Sequence, residues 1–245
     1  MSQVSLEKSP HRMGSMFNRI ARTYDLLNHA LSLGLDLWWR RQAVHALWRL
    51  APHAQRVLDV ATGTGDLAFA ALRRRPHVTV IGVDVACNML RLAATKRRAA
   101  SVSTTRYGLV AADALKMPFP DESFDALMIA YGIRNLPDMP GAFREFRRVL
   151  RPKGYLLILE FTLPRHPLLK KAYLLYFEKI LPRLGGWVSR DREAYRYLPA
   201  SVGAFISPET MSRLGAAHGF TTCCIKPLTA GITYYWIGRC AKDAL

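Results

Sequence analysis

From residue 56 to residue 161 the sequence alternates short apolar runs with stretches of helical spacing, and this alternation restricts the fold more than any other feature. The apolar runs cover 56–61, 78–83, 107–112, 124–131 and 155–161; helical patterns lie near 66–75, 88–100 and 138–150, the last closed by Pro152 and Gly154. Strands that alternate with helices predict a parallel sheet covered on both faces. A further helix is expected at 207–218, followed by apolar runs at 220–227 and 232–240. The short connection around Thr229-Ala-Gly231 favours an antiparallel hairpin at the sheet edge. Residues 13–50 read as two helices capping the sheet, with Phe17, Ile20, Tyr24 and Leu27 on the first and Trp38, Trp39, Val44, Leu47 and Trp48 on the second. The expected organisation is a polar, disordered tail at 1–12 and one domain at 13–245. An insert at 164–200 is expected on the substrate side. Its amphipathic part, 164–182, carries Lys170, Lys171 and Lys179, and Leu169, Leu174 and Leu175 are candidates for its packing face.

The first apolar run enters a glycine turn, Asp59-Val-Ala-Thr-Gly-Thr-Gly-Asp66. Gly63 and Gly65 carry no Cβ, so the chain there can turn tightly and approach a ligand closely. The spacing Gly63-x-Gly65-x-x-Ala68 also satisfies a dinucleotide fingerprint, which leaves two classes of cofactor in play. A diphosphate wants unopposed backbone N–H groups at a helix start. Carboxylates on both sides of the turn, Asp59 and Asp66, oppose it and suit a ligand with a cationic centre. S-adenosylmethionine carries an ammonium and a sulfonium and no phosphate, so charge favours it over NAD.

Ligands of open α/β sheets sit beyond the carboxyl ends of the strands. Asp84 closes the second run, where an acid can accept both ribose hydroxyls. Asp113, after the third, is placed to receive an adenine amino group, and Ala130-Tyr-Gly132, after the fourth, lies beside the methionine portion. Singly, Asp59 reads equally as a helix-dipole partner and Asp113 as a helix cap; jointly, the set points to a cofactor site.

The chain has 245 residues, half of them hydrophobic, enough for a full core. No apolar run approaches the roughly 18 residues of a membrane span, and the N-terminus lacks a secretory pattern. Cys87, Cys223, Cys224 and Cys240 show no metal-ligand spacing, so no metal is expected and the cysteines read as buried thiols in a reducing cytosol. The net charge of +17 attracts something anionic, nucleic acid or a membrane surface, unless it is only an arginine-rich exterior.

The chain resembles the UbiE/MenG/COQ5 family of class I S-adenosylmethionine-dependent C-methyltransferases of quinone biosynthesis. The resemblance spans roughly residues 13–240 and rests on Met16-Phe-Asn-Arg-Ile-Ala-Arg-Thr-Tyr-Asp25, on Asn28 with Leu31-Ser-Leu-Gly34 and Trp39, and on Leu58-Asp-Val-Ala-Thr-Gly-Thr-Gly-Asp66. It continues through Leu115-Lys-Met-Pro-Phe-Pro-Asp-Glu-Ser-Phe-Asp125, Tyr131-Gly-Ile-Arg-Asn135, 148–161, Tyr195-Arg-Tyr-Leu198 and Leu228-Thr-Ala-Gly231. Three positions depart from the family pattern: Asp36 stands for a histidine, Lys153 for a glycine, and Ala130 for a small hydroxyl residue. The resemblance implies a Rossmann-like, mostly parallel sheet and S-adenosylmethionine held by Thr64, Asp84, Asp113, Ala114 and Ala130, beside Asp59, Gly63 and Gly65. It places Tyr24, Asp25, Arg134 and Asn135 near the acceptor ring, with Tyr195 and Tyr197 lining its pocket.

The implied reaction methylates a ring carbon of a polyprenylated quinol, demethylmenaquinol ahead of a benzoquinol. A hydroquinone carbon becomes nucleophilic when the neighbouring hydroxyl loses its proton, so a phenolate must be stabilised. Arg134, cationic at neutral pH, suits that task, and Asn135 adds a donor. The base is Asp25 or a water; the structural alternative for Arg134 is an ion pair with Asp138 or Glu145. The implied setting is a cytoplasmic enzyme resting on the inner face of the membrane, with a homodimer or quinone-biosynthesis assembly left open. Three readings compete. An RNA methyltransferase suits the charge, but Ala130-Tyr-Gly-Ile-Arg-Asn135 is not the Asn/Asp-Pro-Pro-aromatic segment of amino-methylating enzymes, and nucleic acid is not the expected partner. A nicotinamide dehydrogenase needs a diphosphate to tolerate Asp59 and Asp66. A membrane-surface module would keep the fold only as scaffold.

Overall fold

A computed structural model describes residues 8–164, 166–176, 197, 200–202 and 205–241. Helices α1 (Pro10–Leu31) and α2 (Leu35–Leu50) precede β1 (Arg56–Val60), α3 (Asp66–Arg74), β2 (Thr79–Asp84), α4 (Cys87–Ala99), β3 (Tyr107–Ala111) and β4 (Phe124–Ala130). Then follow α5 (Met139–Val149), β5 (Leu150–Phe161), α6 (Pro167–Leu175), α7 (Pro208–Ala217), β6 (Phe220–Leu228) and β7 (Thr233–Cys240). The strands form one seven-stranded sheet in the order β3-β2-β1-β4-β5-β7-β6. The first five pair in parallel; β7 runs antiparallel to β5, and β6 antiparallel to β7 at the edge.

The strands sort their side chains with a period of two. Val57, Ala126, Met128, Leu157 and Leu159 face one core with α2 and α3, while Leu58, Leu127, Ile129, Leu156 and Ile158 face another with α5 and α7. This burial on both faces is why the runs read as continuous apolar stretches. Asp138 and Ser207 cap α5 and α7, accepting hydrogen bonds from the amides of Gly141 and Thr210. The amide of Asn88, in the first turn of α4, donates instead to Asn18 Oδ1 of α1 at 2.8 Å, which ties the cap to the sheet. α2 is tied by Trp39 Nε1, which donates to Thr229 Oγ1 at 2.8 Å.

The structure revises several expectations. α1 begins at Pro10, whose fixed φ suits a first helical position, so residues 10–12 are helical rather than disordered; residues 1–7 lie outside the described residues. β5 begins at Leu150, paired with Phe124 before a register shift, and not at 155. The buried-thiol expectation holds for Cys240 alone: Cys87 and Cys223 are exposed and Cys224 is half-buried. Cys87 opens α4, and Cys223 sits at a register irregularity in the edge strand, where one side meets solvent. In α6, Tyr173 is buried, while Leu175 is exposed although it was a candidate for the packing face. Lys179 lies outside the described residues.

Candidate active site

The turn after β1 and the turn after β4 meet at the point where strand order reverses. Gly65 has φ +91°, and a Cβ there would stand 2.7 Å from the Tyr107 hydroxyl, so only glycine fits. A Cβ on Gly132 would stand 2.7 Å from Ala61 Cβ, so this glycine lets the two turns touch. Ala61 and Tyr131, each just past the end of its strand, adopt positive φ without being glycine. Left-handed backbone at both turns is local strain where ligands bind, held by the sheet on either side.

The turn's amides are largely committed. Thr62 N donates to Val83 O at 2.9 Å, Gly65 N to Thr62 O at 2.9 Å, and Gly63 N to Asp84 Oδ2 at 2.8 Å. A diphosphate would have to displace the Asp84 carboxylate. This, more than free charge on Asp59 and Asp66, disfavours a dinucleotide. Asp66 is paired with Lys96 at 2.8 Å. Burial opposes its charge, but Arg40 and Lys96 outweigh burial and hold its carboxyl below the usual range. Asp59 is fully buried; burial pushes its carboxyl up to about 7 against the hydrogen bond from Thr62.

Three connected spaces surround these turns. A cleft of about 750 Å³ runs along Gly63, Asp84, Met89, Asp113, Ala114, Ala130 and Asn135, with Lys8, Met13, Phe17 and Tyr24 also in its walls. Asp84 accepts backbone amides through both oxygens, from Gly63 and from Ala86, each at 2.8 Å, and lines the cleft. Burial nonetheless pushes its carboxyl above the usual range. Asp113 accepts only from Leu115 N, at 2.9 Å, among the described residues. A smaller space of about 330 Å³ lies under the turn between Arg40, Asp59, Thr62, Gly63, Thr64 and Asp66. There Asp59 Oδ1 is buried without a hydrogen-bond partner among the described residues. The donor set fits S-adenosylmethionine. Asp84 and Asp113 match ribose hydroxyls and an adenine amine, and the orphaned Asp59 oxygen matches an ammonium.

The third space, about 660 Å³, is lined by Met16, Phe17, Ile20, Tyr24, Asn28, Tyr131, Arg134, Phe161 and Tyr197, with Ser32, Asp36 and Arg40 at one side. It shares Phe17, Tyr24 and Tyr131 with the large cleft. Arg134 is buried, and its expected ion-pair partners are not the ones it uses. Asp138 serves as a helix cap and Glu145 pairs with Arg148, whereas Arg134 Nη1 binds Glu160 Oε1 at 2.7 Å and Tyr131 O at 2.5 Å. Arg134 Nε donates to Ser201 Oγ at 3.3 Å, and the guanidinium lies 5.6 Å from the Phe161 ring centre. Nη2 has no partner among the described residues. Burial pushes Glu160 above the usual carboxylate range, against the opposing charge of Arg134.

Asn135 lines the cofactor cleft rather than the acceptor space; its amide donates to Tyr131 O at 3.4 Å and accepts from the Tyr197 hydroxyl at 3.1 Å. Asp25, expected near the ring, faces the turn instead: it accepts from Thr64 Oγ1 at 2.6 Å and pairs with Lys96 at 2.6 Å. Both of its carboxylate oxygens are thereby engaged, and it does not line the acceptor space. Asp25, His29 and Asp66 form a group with metal-ligand spacing, but the Lys96 ammonium already joins Asp25 to Asp66. Tyr195 lies outside the described residues. Two residues escaped sequence reasoning. Glu160 is the lone carboxylate of β5 and follows its apolar run 155–159, which is the signal that marks it. Arg40 follows the Trp pair on the buried face of α2 and is 7% exposed.

A model of the ubiE/COQ5 methyltransferase family matches residues 5–239. A demethylmenaquinone methyltransferase from Thermus thermophilus is 46% identical over 223 residues, covering 91% of this chain and 99% of the relative. A ubiquinone/menaquinone biosynthesis C-methyltransferase from Syntrophotalea carbinolica is 44% identical over 223 residues, covering 91% of this chain and 92% of the relative. Among solved structures, an S-adenosylmethionine-dependent methyltransferase from Thermotoga maritima superposes with a TM-score of 0.64 at 21% identity, over 94% of this chain and 99% of that one. That likeness shows the fold, and the mostly parallel sheet with its antiparallel end is the one expected from the sequence. The motifs at both strand turns, the cofactor cleft and the match across nearly the whole length agree: the chain belongs to the ubiE/COQ5 methyltransferase family.

Proposed function

We propose that this chain methylates a ring carbon of a polyprenylated quinol, with demethylmenaquinol as the acceptor. The observation that carries the reading is the aromatic space beside the cofactor cleft, lined by the buried Arg134, whose Nη2 has no partner among the described residues. Bound S-adenosylmethionine supplies an electrophilic methyl group. Phe17, Tyr24, Tyr131, Phe161 and Tyr197 offer flat apolar walls to a ring and keep water from it. Arg134 stabilises the phenolate that activates the ring carbon, and Glu160 fixes the guanidinium plane through Nη1. With Asp25 bound to Lys96 and Thr64, the hydroxyl proton would leave to water. The ring carbon would take the methyl group as its bond to sulfur breaks to leave the neutral thioether. Loss of that carbon's proton, with return of one to the oxygen, would restore the quinol. Demethylmenaquinone methyltransferases at 46% identity from Thermus thermophilus and Deinococcus radiodurans support the naphthoquinol over a benzoquinol. Incubation with methyl-labelled S-adenosylmethionine and demethylmenaquinol is expected to place label in the lipid extract. Label in a benzoquinol alone would transfer the assignment to that ring, and no label in either lipid would overturn it.

The acceptor's lipid tail assigns the basic exterior to an anionic membrane surface, met by one end of the molecule. Among the described residues no helix is long and apolar enough to cross a membrane. Around the α1–α2 turn, Leu26, Leu33, Leu35 and Trp38 are exposed, Leu33 at 88%. The Tyr176 hydroxyl donates to Leu31 O at 2.8 Å, which brings the end of α6 to the same turn. α6 exposes Leu168 and Leu175 next to Lys170 and Lys171. Apolar side chains ringed by lysines suit an interfacial contact. The protein is expected to sediment with phosphatidylglycerol vesicles and far less with phosphatidylcholine. The pair Leu33→Glu and Trp38→Glu is expected to weaken that binding about tenfold or more, since each buried apolar side chain contributes about 1.5–3 kcal/mol. Undiminished binding by the double variant would remove this surface from the proposal.

A further inference from the structure

Arg40 is a charged residue on the packing face of α2, between Trp39 and the buried Ala43, Val44 and Leu47. A cation in that position needs a partner. One is built into the helix: Arg40 Nη1 donates to Asp36 Oδ2 at 2.6 Å, one turn earlier. Asp36 is itself held, accepting from Ser32 Oγ at 2.7 Å on Oδ1 and meeting His29 Nδ1 at 2.9 Å on Oδ2. The Tyr131 ring lies against the guanidinium, 5.1 Å from its centre. A guanidinium has five N–H donors. Among the described residues, Asp36 takes the only hydrogen bond Arg40 makes, and the arginine lines the small space with Asp59, Thr62, Gly63, Thr64 and Asp66. The arginine is more than nine-tenths buried, backed by Asp36 at Nη1, and its Nε and Nη2 have no hydrogen-bond partner among the described residues.

That space has the charge pattern of a zwitterion's complement. Asp59 offers an orphaned carboxylate oxygen, and Arg40 offers an unpaired cationic edge. The space adjoins the cofactor cleft through Ala61, Gly63 and Ala130, and Asp113 lines the cleft but not the small space. With a ribose at Asp84, the amino-acid end of S-adenosylmethionine is the only part of that ligand carrying both an ammonium and a carboxylate. We propose that Arg40 seats the α-carboxylate of the methyl donor and that Asp36 is the positioning residue that aims it. This rests on the cofactor reading above and adds the residue that discriminates the donor's amino-acid end. Arg40 also borders the acceptor space, so a direct role on the ring oxygen is the competing account.

The two accounts separate in a binding experiment that needs no turnover. Isothermal titration compares S-adenosylmethionine with 5′-methylthioadenosine, which keeps the nucleoside and lacks the amino-acid end. Arg40→Met is expected to weaken S-adenosylmethionine binding about 10- to 100-fold, as for a lost charge-assisted pair, and to leave methylthioadenosine within about threefold. Asp36→Asn, which keeps the shape of the support and removes its charge, is expected to produce the same split at about three- to tenfold. Arg40→Lys is expected to recover part of the loss, and it carries the comparison if Arg40→Met does not fold. Unchanged S-adenosylmethionine affinity in the Arg40 variants, or an equal loss for both ligands, overturns the assignment while leaving the cofactor reading intact. Failure of the unaltered protein to bind S-adenosylmethionine would overturn both.

Discussion

Methyl transfer by Arg134→Met is expected to fall about 10²- to 10³-fold, the usual cost of removing one preorganised donor to a developing oxyanion. S-adenosylmethionine affinity should stay within about threefold, because Arg134 borders the acceptor space and not the cofactor cleft. Arg134→Lys keeps the charge but cannot span Tyr131 O, Glu160 and Ser201 in one plane, so it is expected to restore little of the rate. Removal of the arginine also exposes the chemistry of its partner. Burial already pushes Glu160 above the usual carboxylate range, and without the opposing cation it rises further. A carboxyl whose folded pKa exceeds its unfolded value binds protons more tightly in the folded state. The variant's stability is therefore expected to be greatest in mild acid and to decline as pH rises through the window between those two values. Thermal melts at several pH values check the sign, and single-turnover transfer checks the rate. Normal transfer by Arg134→Met would dismiss Arg134 as the phenolate partner.

The reciprocal change, Glu160→Leu, is expected to be the more damaging to the fold. Glu160 can escape an unpaired state by taking up a proton; an arginine cannot lose one. Breaking a buried pair from the carboxylate side costs about 3–5 kcal/mol. For a chain of this size that corresponds to a melting temperature lower by roughly 6–20 °C. Replacement of both partners, Arg134→Met with Glu160→Leu, is expected to recover most of the stability and none of the transfer, since a buried pair and an apolar pair of similar volume differ little in net energy. Such recovery separates the catalytic use of the arginine from its packing. A Glu160→Leu protein as stable as the parent would show that Glu160 does not neutralise Arg134 in the folded state.

The sheet was legible because its strands are buried on both faces. Val57 to Val60 and Leu156 to Leu159 read as unbroken apolar runs, and the antiparallel end followed from the short link at Thr229-Ala-Gly231. The strand ends mark Asp84 and Asp113 as candidate ligand contacts, and the structure places both on the same cleft. What stayed hidden were side-chain partnerships formed across long separations. Asp25 reads as a ring-side base from its place beside Tyr24; its commitment to Thr64 and Lys96 depends on how α1 crosses the turn and α4, which no periodicity encodes. Glu160 reaches Arg134 across 26 residues and across neighbouring strand ends. Local spacing proposed Asp138 and Glu145 for the arginine; the first was needed to cap α5 and the second to hold Arg148. Arg40 was hidden differently, since a helix pattern scored on apolar residues passes over a charged side chain that shares the buried face.

The Lys96 bridge has a kinetic side. Lys96 of α4 holds Asp25 of α1 and Asp66 of α3 at once, and α1 supplies walls to both the cofactor cleft and the acceptor space. One helix thus walls both spaces, so a displacement of α1 that widened one would widen the other. The ion pairs that hold it are partly exposed and so weakened by dissolved salt. An ionic-strength dependence of turnover that spares single-turnover methyl transfer is the expected sign of such a link.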